Sequence, residues 1–253
     1  MKITFLGTGT SQGIPMIANN NPVCLSEDSK DKRLRSSIMI SWKDCNYIVD
    51  CGPDFRQQML RENVQSIHGV LFTHEHSDHT AGIDDLRPFT YQMGEVPVYA
   101  TERVLENLKT RFAYIFATEN RYEGAPKLGE NLITSKQFEL EGIQVTPVEV
   151  LHGDLPITAY RFDDVAYITD LKTIDNLEKE KLKNLEVLIV NALRIEKHPT
   201  HLNLKEALDF VKEINPKRAY FTHISHKLGF HAEVEKILPE NVFLSYDGLK
   251  IHV

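Results

Sequence analysis

The chain has 253 residues, of which 42% are hydrophobic and 26% are charged, so its composition is that of a globular protein and excludes a disordered or low-complexity chain. Its formal net charge of −7 disfavours bulk binding of nucleic acid, which requires a large basic surface. No apolar run approaches the roughly 20 residues that span a bilayer, and the apolar start of the chain ends at Gly7, too early for a signal peptide. We therefore expect no membrane association and a cytoplasmic location.

Apolar runs separated by turn residues predict an alternation of strands and helices along the chain. In the first half we predict strands at residues 2–6, 37–41, 46–50, 69–73 and 97–100, and helices at residues 55–62 and 102–110. In the second half we predict strands at residues 143–150, 157–162, 165–169, 187–190, 218–222, 242–244 and 249–252, and helices at residues 175–183, 204–214 and 231–238. In the first helix, Phe55, Met59 and Leu60 are predicted to face inward. Residues 111–131 contain several aromatic side chains but no clean period.

This alternation, without repeats or a flexible linker, predicts a single α/β domain over residues 1–253 with mixed sheets and helices outside. The three cysteines are too few and too unevenly placed for a disulfide framework.

Histidine is the unusual component of the sequence, because its 11 copies are not scattered. The densest group is His74-Glu75-His76-Ser77-Asp78-His79, directly after the predicted strand 69–73. Imidazole nitrogens and carboxylate oxygens are standard ligands of zinc, manganese and iron. His74 and His76 share a face in an extended segment, whereas Asp78 and His79 follow a turn and can address a second ion.

Four ligands in one loop do not complete two metal sites, so other ligands are expected at the ends of later strands. His152, Asp170 and His223 each come immediately after an apolar run. Singly, such a residue is more often a capping or surface residue, but together the three favour a metal site.

In chain order, these motifs and Asp50 resemble the five motifs of the metallo-β-lactamase superfamily, and the resemblance covers nearly the whole chain. It implies an αββα sandwich, in which two mixed sheets lie face to face with helices on both outer faces. It also implies two divalent metal ions, Zn²⁺ or Mn²⁺, at one edge of the sandwich.

The resemblance further implies how the ligands are shared between the two ions. One ion would be held by His74, His76 and His152, and the other by Asp78, His79 and His223, with Asp170 between them. Asp50 would accept a hydrogen bond from a ligand histidine, although a plain strand-end turn is the alternative interpretation.

Two segments resemble the phosphodiesterase branches of this superfamily, which include transfer-RNA 3′-processing nucleases and PhnP-type cyclic phosphodiesterases. They are Phe5-Leu6-Gly7-Thr8-Gly9-Thr10-Ser11 and His198-Pro199-Thr200-His201. The segment around His223 and the run Gly13-Ile14-Pro15 favour the PhnP type. The resemblance implies catalytic roles for Asp78, as a metal ligand, and for His201, as a general acid, with His198 as the second candidate for the acid.

PhnP-type proteins often carry a separate structural zinc held by three cysteines in the first loop and by the histidine three residues after the last ligand. In this chain Asn19 and Asn21 stand at two of the cysteine positions, and only Cys24 and His226 remain. One thiolate and one imidazole make a poor zinc site, so we predict that the structural zinc is absent or weak.

The activity that the resemblance implies is hydrolysis of a small phosphodiester, in particular a cyclic ribose or nucleotide phosphodiester. A water shared by the two ions would lose a proton and attack phosphorus, and His201 would protonate the leaving alkoxide. Arg33 and Arg35 are candidates for phosphate binding or for ordinary ion pairs, and His198 and His226 are further candidates for substrate contacts.

Three alternatives remain open: a nuclease for RNA 3′ ends, a thioesterase or lactonase on the same metals, and a non-catalytic binding module. The aromatic segment 111–131 is a candidate substrate wall, flap or core segment, or a contact in a homodimer.

Overall fold

Two facing β-sheets form the centre of the protein, and a computed structural model describes all of its residues, 1–253. The strands are β1 (Lys2–Gly7), β2 (Ser37–Trp42), β3 (Cys45–Val49), β4 (Gly69–Leu71), β5 (Val96–Ala100), β6 (Leu128–Leu132), β7 (Phe138–Leu140), β8 (Ile143–His152), β9 (Leu155–Phe162), β10 (Val165–Ile168), β11 (Val187–Asn191), β12 (Arg218–Thr222), β13 (Val242–Leu244) and β14 (Lys250–His252). The helices are α1 (Pro22–Leu25), α2 (Phe55–Arg61), α3 (Ser77–Thr80), α4 (Arg87–Met93), α5 (Glu102–Arg111), α6 (Ala113–Phe116), α7 (Asn176–Glu180), α8 (Leu204–Ile214) and α9 (His231–Val234).

Each sheet has seven strands and mixes antiparallel with parallel pairs. The first sheet has the order β14-β1-β2-β3-β4-β5-β6 and the second has the order β13-β12-β11-β10-β9-β8-β7. Pairs from β14 to β3 and from β7 to β10 are antiparallel, and the remaining pairs are parallel. The two sheets are thus built on the same plan, one mainly from each half of the chain.

Successive side chains of β2 point alternately to the two faces of the first sheet. Ile38 and Ile40 belong to the apolar layer between the sheets, together with Phe162 of the second sheet. Met39 points to the opposite face and packs in the cluster that contains Phe55 of α2. This period of two is that of a strand buried on both faces, and each fully buried side chain of this size contributes about 1.5–3 kcal/mol.

Helices cover both outer faces. On the first sheet, α2, α4 and α5 supply buried apolar side chains, and on the second sheet α8 does so through Ala207, Phe210 and Val211. The predicted αββα sandwich of mixed sheets is therefore confirmed. None of its helices has both the length and the apolar character that crossing a membrane requires.

Most predicted elements lie within a few residues of the observed ones, and those at residues 204–214, 218–222 and 242–244 match exactly. The prediction for Leu60 is wrong, because its side chain is 63% exposed, whereas Phe55 and Met59 are buried. The unassigned segment 111–131 begins at the last residue of α5 and contains α6 and most of the edge strand β6.

The carboxyl ends of several strands meet at one edge of the sandwich, and there the backbone takes an uncommon conformation. Asp50 follows β3, Asp170 follows β10 by two residues, and His223 follows β12, and all three have positive φ, at 66°, 57° and 54°. Non-glycine residues seldom adopt this left-handed region, and those that do cluster at functional sites. The three turns aim their side chains into a common space.

Candidate metal centre

The loop after β4 brings several ligand-type side chains to this edge. His74 is completely buried, whereas His76 is exposed and directly precedes the single turn of α3, which carries Asp78 and His79. Gly52 allows this loop to approach the end of β3, because a Cβ there would lie 2.1 Å from the carbonyl oxygen of Asp78.

Residues from both sheets converge around this loop. Nitrogen and carboxylate oxygen atoms lie within 4.8 Å of one another in three overlapping groups: His74, His79 and Asp170; Asp78, His79 and His223; His152, Asp170 and His201. His76 adjoins them, since its Nδ1 is 3.0 Å from Nε2 of His74. The structure therefore brings together all seven residues predicted from the sequence as metal ligands, and places His201 beside them.

Hydrogen bonds fix which nitrogen of four histidines is free. Nδ1 of His152 donates to the carbonyl oxygen of Thr200 (2.9 Å), and Nδ1 of His79 donates to a carboxylate oxygen of Asp50 (2.7 Å). Because a carbonyl and a carboxylate only accept, both rings carry a proton on Nδ1, and Nε2 is the nitrogen that each ring can offer to a metal ion.

Two threonine hydroxyls accept a hydrogen bond from Nδ1 of His74 and of His223, so these rings also direct Nε2 into the cluster. Thr73 Oγ1 donates to Asp50 and therefore accepts from Nδ1 of His74 (2.9 Å). Thr169 Oγ1 donates to Asp170 (2.5 Å) and so accepts from Nδ1 of His223 (3.3 Å). Such outer contacts are the usual means of orienting metal-binding histidines.

One buried atom tests directly whether a cation fits the cluster. Nε2 of His79 has no hydrogen-bond partner although it is buried, and it lies 3.1 Å from Oδ2 of Asp78 and 3.3 Å from Oδ2 of Asp170. An imidazole nitrogen this close to two carboxylate oxygens needs a positive charge among the three atoms, either a proton on the ring or a bound metal ion. The donor set of imidazoles and carboxylates suits a divalent transition-metal ion in that place.

The pKa shifts of the clustered side chains also indicate that a positive charge is favoured there. Burial raises the pKa of Asp170, but His223, His79 and the hydrogen bond from His201 hold it well below its ordinary value. Burial lowers the pKa of His79, but the carboxylates of Asp78, Asp50 and Asp170 raise it well above the ordinary value. The pKa of Asp78 and that of Asp170 are both lowered, so these two carboxylates are ionised and the cluster attracts a cation beside His79.

His201 lies within the ring of ligands. Its Nε2 is 2.9 Å from Oδ1 of Asp170, and its ring stacks on that of His223 with centroids 5.0 Å apart. Its Nδ1 is 3.1 Å from Nδ1 of half-buried His198, so His198 contacts His201 and not the carboxylate. In this position His201 could act either as a proton donor or as an additional metal ligand.

Two arginines hold the ligand loop from outside. The guanidinium of Arg111 donates to the carbonyl oxygen of Glu75 (2.7 Å), to Thr80 Oγ1 (2.9 Å) and to Ser77 Oγ (3.0 Å). Arg103 forms an ion pair with the carboxylate of Glu75 at 3.2 Å. The aromatic segment 111–131 therefore begins at a residue that braces the loop of His74, His76, Asp78 and His79.

The structure corrects the expectation that Arg33 binds substrate phosphate. Arg33 is only 3% exposed, and its guanidinium donates to Thr8 Oγ1, to the carbonyl oxygen of Ser245 and to Nδ1 of His231. Burial lowers its pKa to about 10. No part of this head group is open to a ligand.

Arg35 and His226 have different surroundings. Arg35 is partly exposed, donates to the carbonyl oxygen of Ser11 and pairs with Asp54 at 2.9 Å, so its role toward phosphate stays a prediction. Nε2 of His226 lies 3.2 Å from Nδ2 of Asn19 in the first loop, and the structure does not bring it to the cluster.

In the first loop, the side chains of Asn19 and Asn21 form hydrogen bonds with nearby backbone groups. Asn21 caps α1 by accepting from the backbone N–H of Val23 (2.9 Å), and Asn19 accepts from the N–H of Asn21 (2.8 Å). Cys24 is buried in the apolar core. An amide N–H of Asn19 faces Nε2 of His226, and the absence of the structural zinc stays a prediction.

Elemental analysis of the purified protein is expected to find no metal bound at Cys24, because one thiolate and one imidazole hold zinc poorly. Cys24→Ser should have the same metal content per chain as the wild type and as Cys45→Ser, a control at another free cysteine. A metal ion that disappears in Cys24→Ser or His226→Ala but not in the control would contradict this expectation.

Comparison with known proteins identifies the fold family. A model of the β-lactamase superfamily domain matches residues 45–224, which include every residue of the cluster. The chain belongs to the metallo-β-lactamase superfamily. A solved diphosphatase from the PhnP family superposes on this protein with a TM-score of 0.93 at 38% sequence identity, over 100% of this chain and 97% of the other.

Two curated relatives of this metallo-β-lactamase-fold protein are longer than the chain. An octanoyltransferase of Porphyromonas gingivalis is 39% identical over 99% of the chain, and a ribonuclease Z of Methanococcus maripaludis is 29% identical over 86% of it. The chain spans about half of the former, 51%, and 60% of the latter. The protein thus has the metallo-β-lactamase fold, is related to PhnP-family enzymes and to ribonuclease Z, and contains a cluster that fits divalent metal ions.

Several residues at the candidate metal centre were not found from the sequence. Thr73 and Thr169 orient His74 and His223, and each stands directly before a ligand-type residue at the end of a strand. That position is a usable signal, because a hydroxyl there can reach both neighbouring side chains. Arg111 carries no such signal, since the contacts to the loop depend on how α5 packs.

Proposed function

We propose that the protein is a metal-dependent phosphodiesterase that hydrolyses a small phosphodiester, in particular a cyclic phosphate on ribose. The observation that carries the proposal is the position of His201. The cluster supplies seven ligand-type residues without it, and its Nε2 nevertheless lies 2.9 Å from the central carboxylate of Asp170. An imidazole beside a metal centre is suited to protonate the strongly basic alkoxide of a sugar.

The proposed centre holds two divalent ions with Asp170 shared between them. One would be held by His74, His76 and His152, and the other by Asp78, His79 and His223. Bound ions of this kind lower the pKa of water and offset charge on phosphate oxygens. Zn²⁺ and Mn²⁺ both suit this mixture of imidazole and carboxylate ligands.

The side chains of the protein position the rest of the reaction. Asp50 accepts a hydrogen bond from Nδ1 of His79 and so keeps Nε2 of that ring directed to Asp78 and Asp170. The carbonyl oxygen of Thr200 accepts from Nδ1 of His152 and orients that ring in turn. His201 donates the proton on Nε2 to the leaving oxygen, while its Nδ1 stays in contact with His198. This contact limits rotation of the His201 ring, so that the proton is delivered along one direction.

A second candidate is hydrolysis of a diphosphate linkage, which the similarity to the PhnP-family diphosphatase favours. The same donors would serve, but the leaving group would then be a phosphate, which is a much weaker base than an alkoxide. His201 would consequently contribute less to that reaction. Similarity to ribonuclease Z keeps an RNA substrate as an alternative, and a thioester or lactone substrate would use the same centre.

A substrate panel with the metal-loaded protein tests the proposal. We expect turnover of bis(p-nitrophenyl) phosphate and of a 2′,3′-cyclic nucleotide, and little turnover of lactones, thioesters or structured RNA. Faster hydrolysis of an alkyl-substituted diphosphate than of either diester would favour the second candidate. Turnover of lactones or thioesters alone would refute both.

A further inference from the structure

Thr10 lies at the metal centre, although its position in the sequence gives it no predicted role. Its Oγ1 is 3.2 Å from Nε2 of His223, the nitrogen that faces the proposed ions. Two backbone hydrogen bonds hold Thr10 in place. Its N–H donates to the carbonyl oxygen of Ile224 (3.0 Å), and its carbonyl oxygen accepts from the N–H of Gly13 (2.8 Å). The hydroxyl is therefore presented at a fixed place.

The hydrogen bonds of His223 determine what the Thr10 hydroxyl does in the absence of a metal. Thr169 Oγ1 gives its only proton to Asp170, so it accepts the proton of His223 Nδ1. Nε2 then carries a lone pair, and Thr10 donates its proton to that lone pair.

A metal ligated by His223 would use this same lone pair. The hydroxyl of Thr10 then loses its acceptor without moving away from the centre, because the backbone on both sides of it is held. The half-buried hydroxyl then takes a new acceptor, which is water as long as no ligand is bound. In a phosphoesterase, an oxygen of the substrate phosphate would replace this water when the substrate binds.

We propose that Thr10 forms an anion subsite beside the metal centre and donates its hydroxyl proton to a non-bridging oxygen of the substrate phosphate. The subsite rests on the proposed phosphodiesterase function for its substrate. The guanidinium of Arg35, which forms an ion pair with Asp54, contacts this loop through its Nε, which donates to the carbonyl oxygen of Ser11. A donor aimed at a phosphoryl oxygen stabilises the charge that develops during the reaction.

The test compares Thr10→Val, which keeps the shape of the side chain, with Thr10→Ser, which keeps the hydroxyl. Thr110→Val is the control, because Thr110 is an exposed threonine of α5 whose hydroxyl contacts only the backbone of its own helix. For each metal-loaded variant we would measure the metal content, the affinity for inorganic phosphate by calorimetry and the turnover of a phosphodiester. Circular dichroism checks that each variant is folded.

We expect Thr10→Val to retain its metals, to bind inorganic phosphate about tenfold more weakly and to lose about 10²-fold in kcat, the usual cost of one such donor. Thr10→Ser should recover most of both losses, and the control should show neither. Unchanged phosphate affinity and kcat in Thr10→Val would overturn the subsite. Loss of metal in Thr10→Val would also overturn it, since Thr10 would then act by orienting His223.

The same measurements separate this inference from the proposed function. If the wild type hydrolyses no phosphodiester but its affinity for phosphate depends on Thr10, the subsite stands and the phosphodiesterase proposal fails. If the wild type hydrolyses phosphodiesters and Thr10→Val does so equally well, the function stands and the subsite fails.

Discussion

Replacing Asp170 with alanine is expected to remove most of the bound metal and to lower kcat/KM far more than the roughly 10–100-fold loss that follows removal of an outer contact. The reason is its central position. Its carboxylate lies 2.9 Å from Nε2 of His201 and 3.3 Å from Nε2 of both His79 and His223. It is also the carboxylate that the two proposed ions share, so its loss affects both.

Elemental analysis and steady-state kinetics on the same preparation check this expectation. Asp170→Asn should be included, because asparagine tolerates the left-handed backbone at this position (φ 57°) and removes only the charge. Asp209→Ala is the matched control, since Asp209 lies on the exposed face of α8 in an ion pair with Lys205. Two metals per chain and normal turnover in Asp170→Ala would refute the shared carboxylate.

Replacing His201 with alanine is expected to leave both metals bound and to slow the reaction according to the leaving group. Substrates that release a strongly basic sugar alkoxide should lose about 10²-fold or more in kcat. Substrates that release p-nitrophenolate should lose little, because this group departs without a proton. A diphosphate should lie between them, since its leaving phosphate is a weak base.

The measurement is the ratio of the two losses, on a sugar diester and on an aryl diester, together with the metal content. His252→Ala, at an exposed histidine of β14, controls for general effects of histidine removal. Equal losses on both substrates, or loss of a metal, would show that His201 positions the substrate or supports the metal site. The acid would then be His198 or a water.

The sheets could be predicted from the sequence where strands alternate or are wholly apolar, as in β2 and β10. Strand β6 could not, because its sequence Leu-Gly-Glu-Asn-Leu lacks both patterns and three of its five residues are exposed at the end of the sheet. It is a strand because its backbone pairs with β5. Leu60 was predicted to be buried because α2 is short, and two turns leave its period ambiguous.

The candidate ligands could be predicted because their residue types are rare and stand at strand ends in a recognisable order. Their partners could not, since the contacts of Thr169 with His223 and of Arg111 with Glu75 join residues that are distant in the sequence. Arg33 shows the converse. An arginine in a polar loop looks available for phosphate, and only the tertiary structure shows its head group buried against Ser245 and His231.

The ligand-type residues are divided evenly between the two halves of the chain. Four of them, His74, His76, Asp78 and His79, follow β4, whereas His152, Asp170, His201 and His223 come from the half of the chain that forms the second sheet. Each proposed ion takes donors from both sides, so neither half could retain it alone. Cations at this edge would fasten the two sheets together like a cross-link, and their binding energy would add to the folding energy. During synthesis the first four donors emerge well before the others, so the centre can be assembled only after the second sheet has docked.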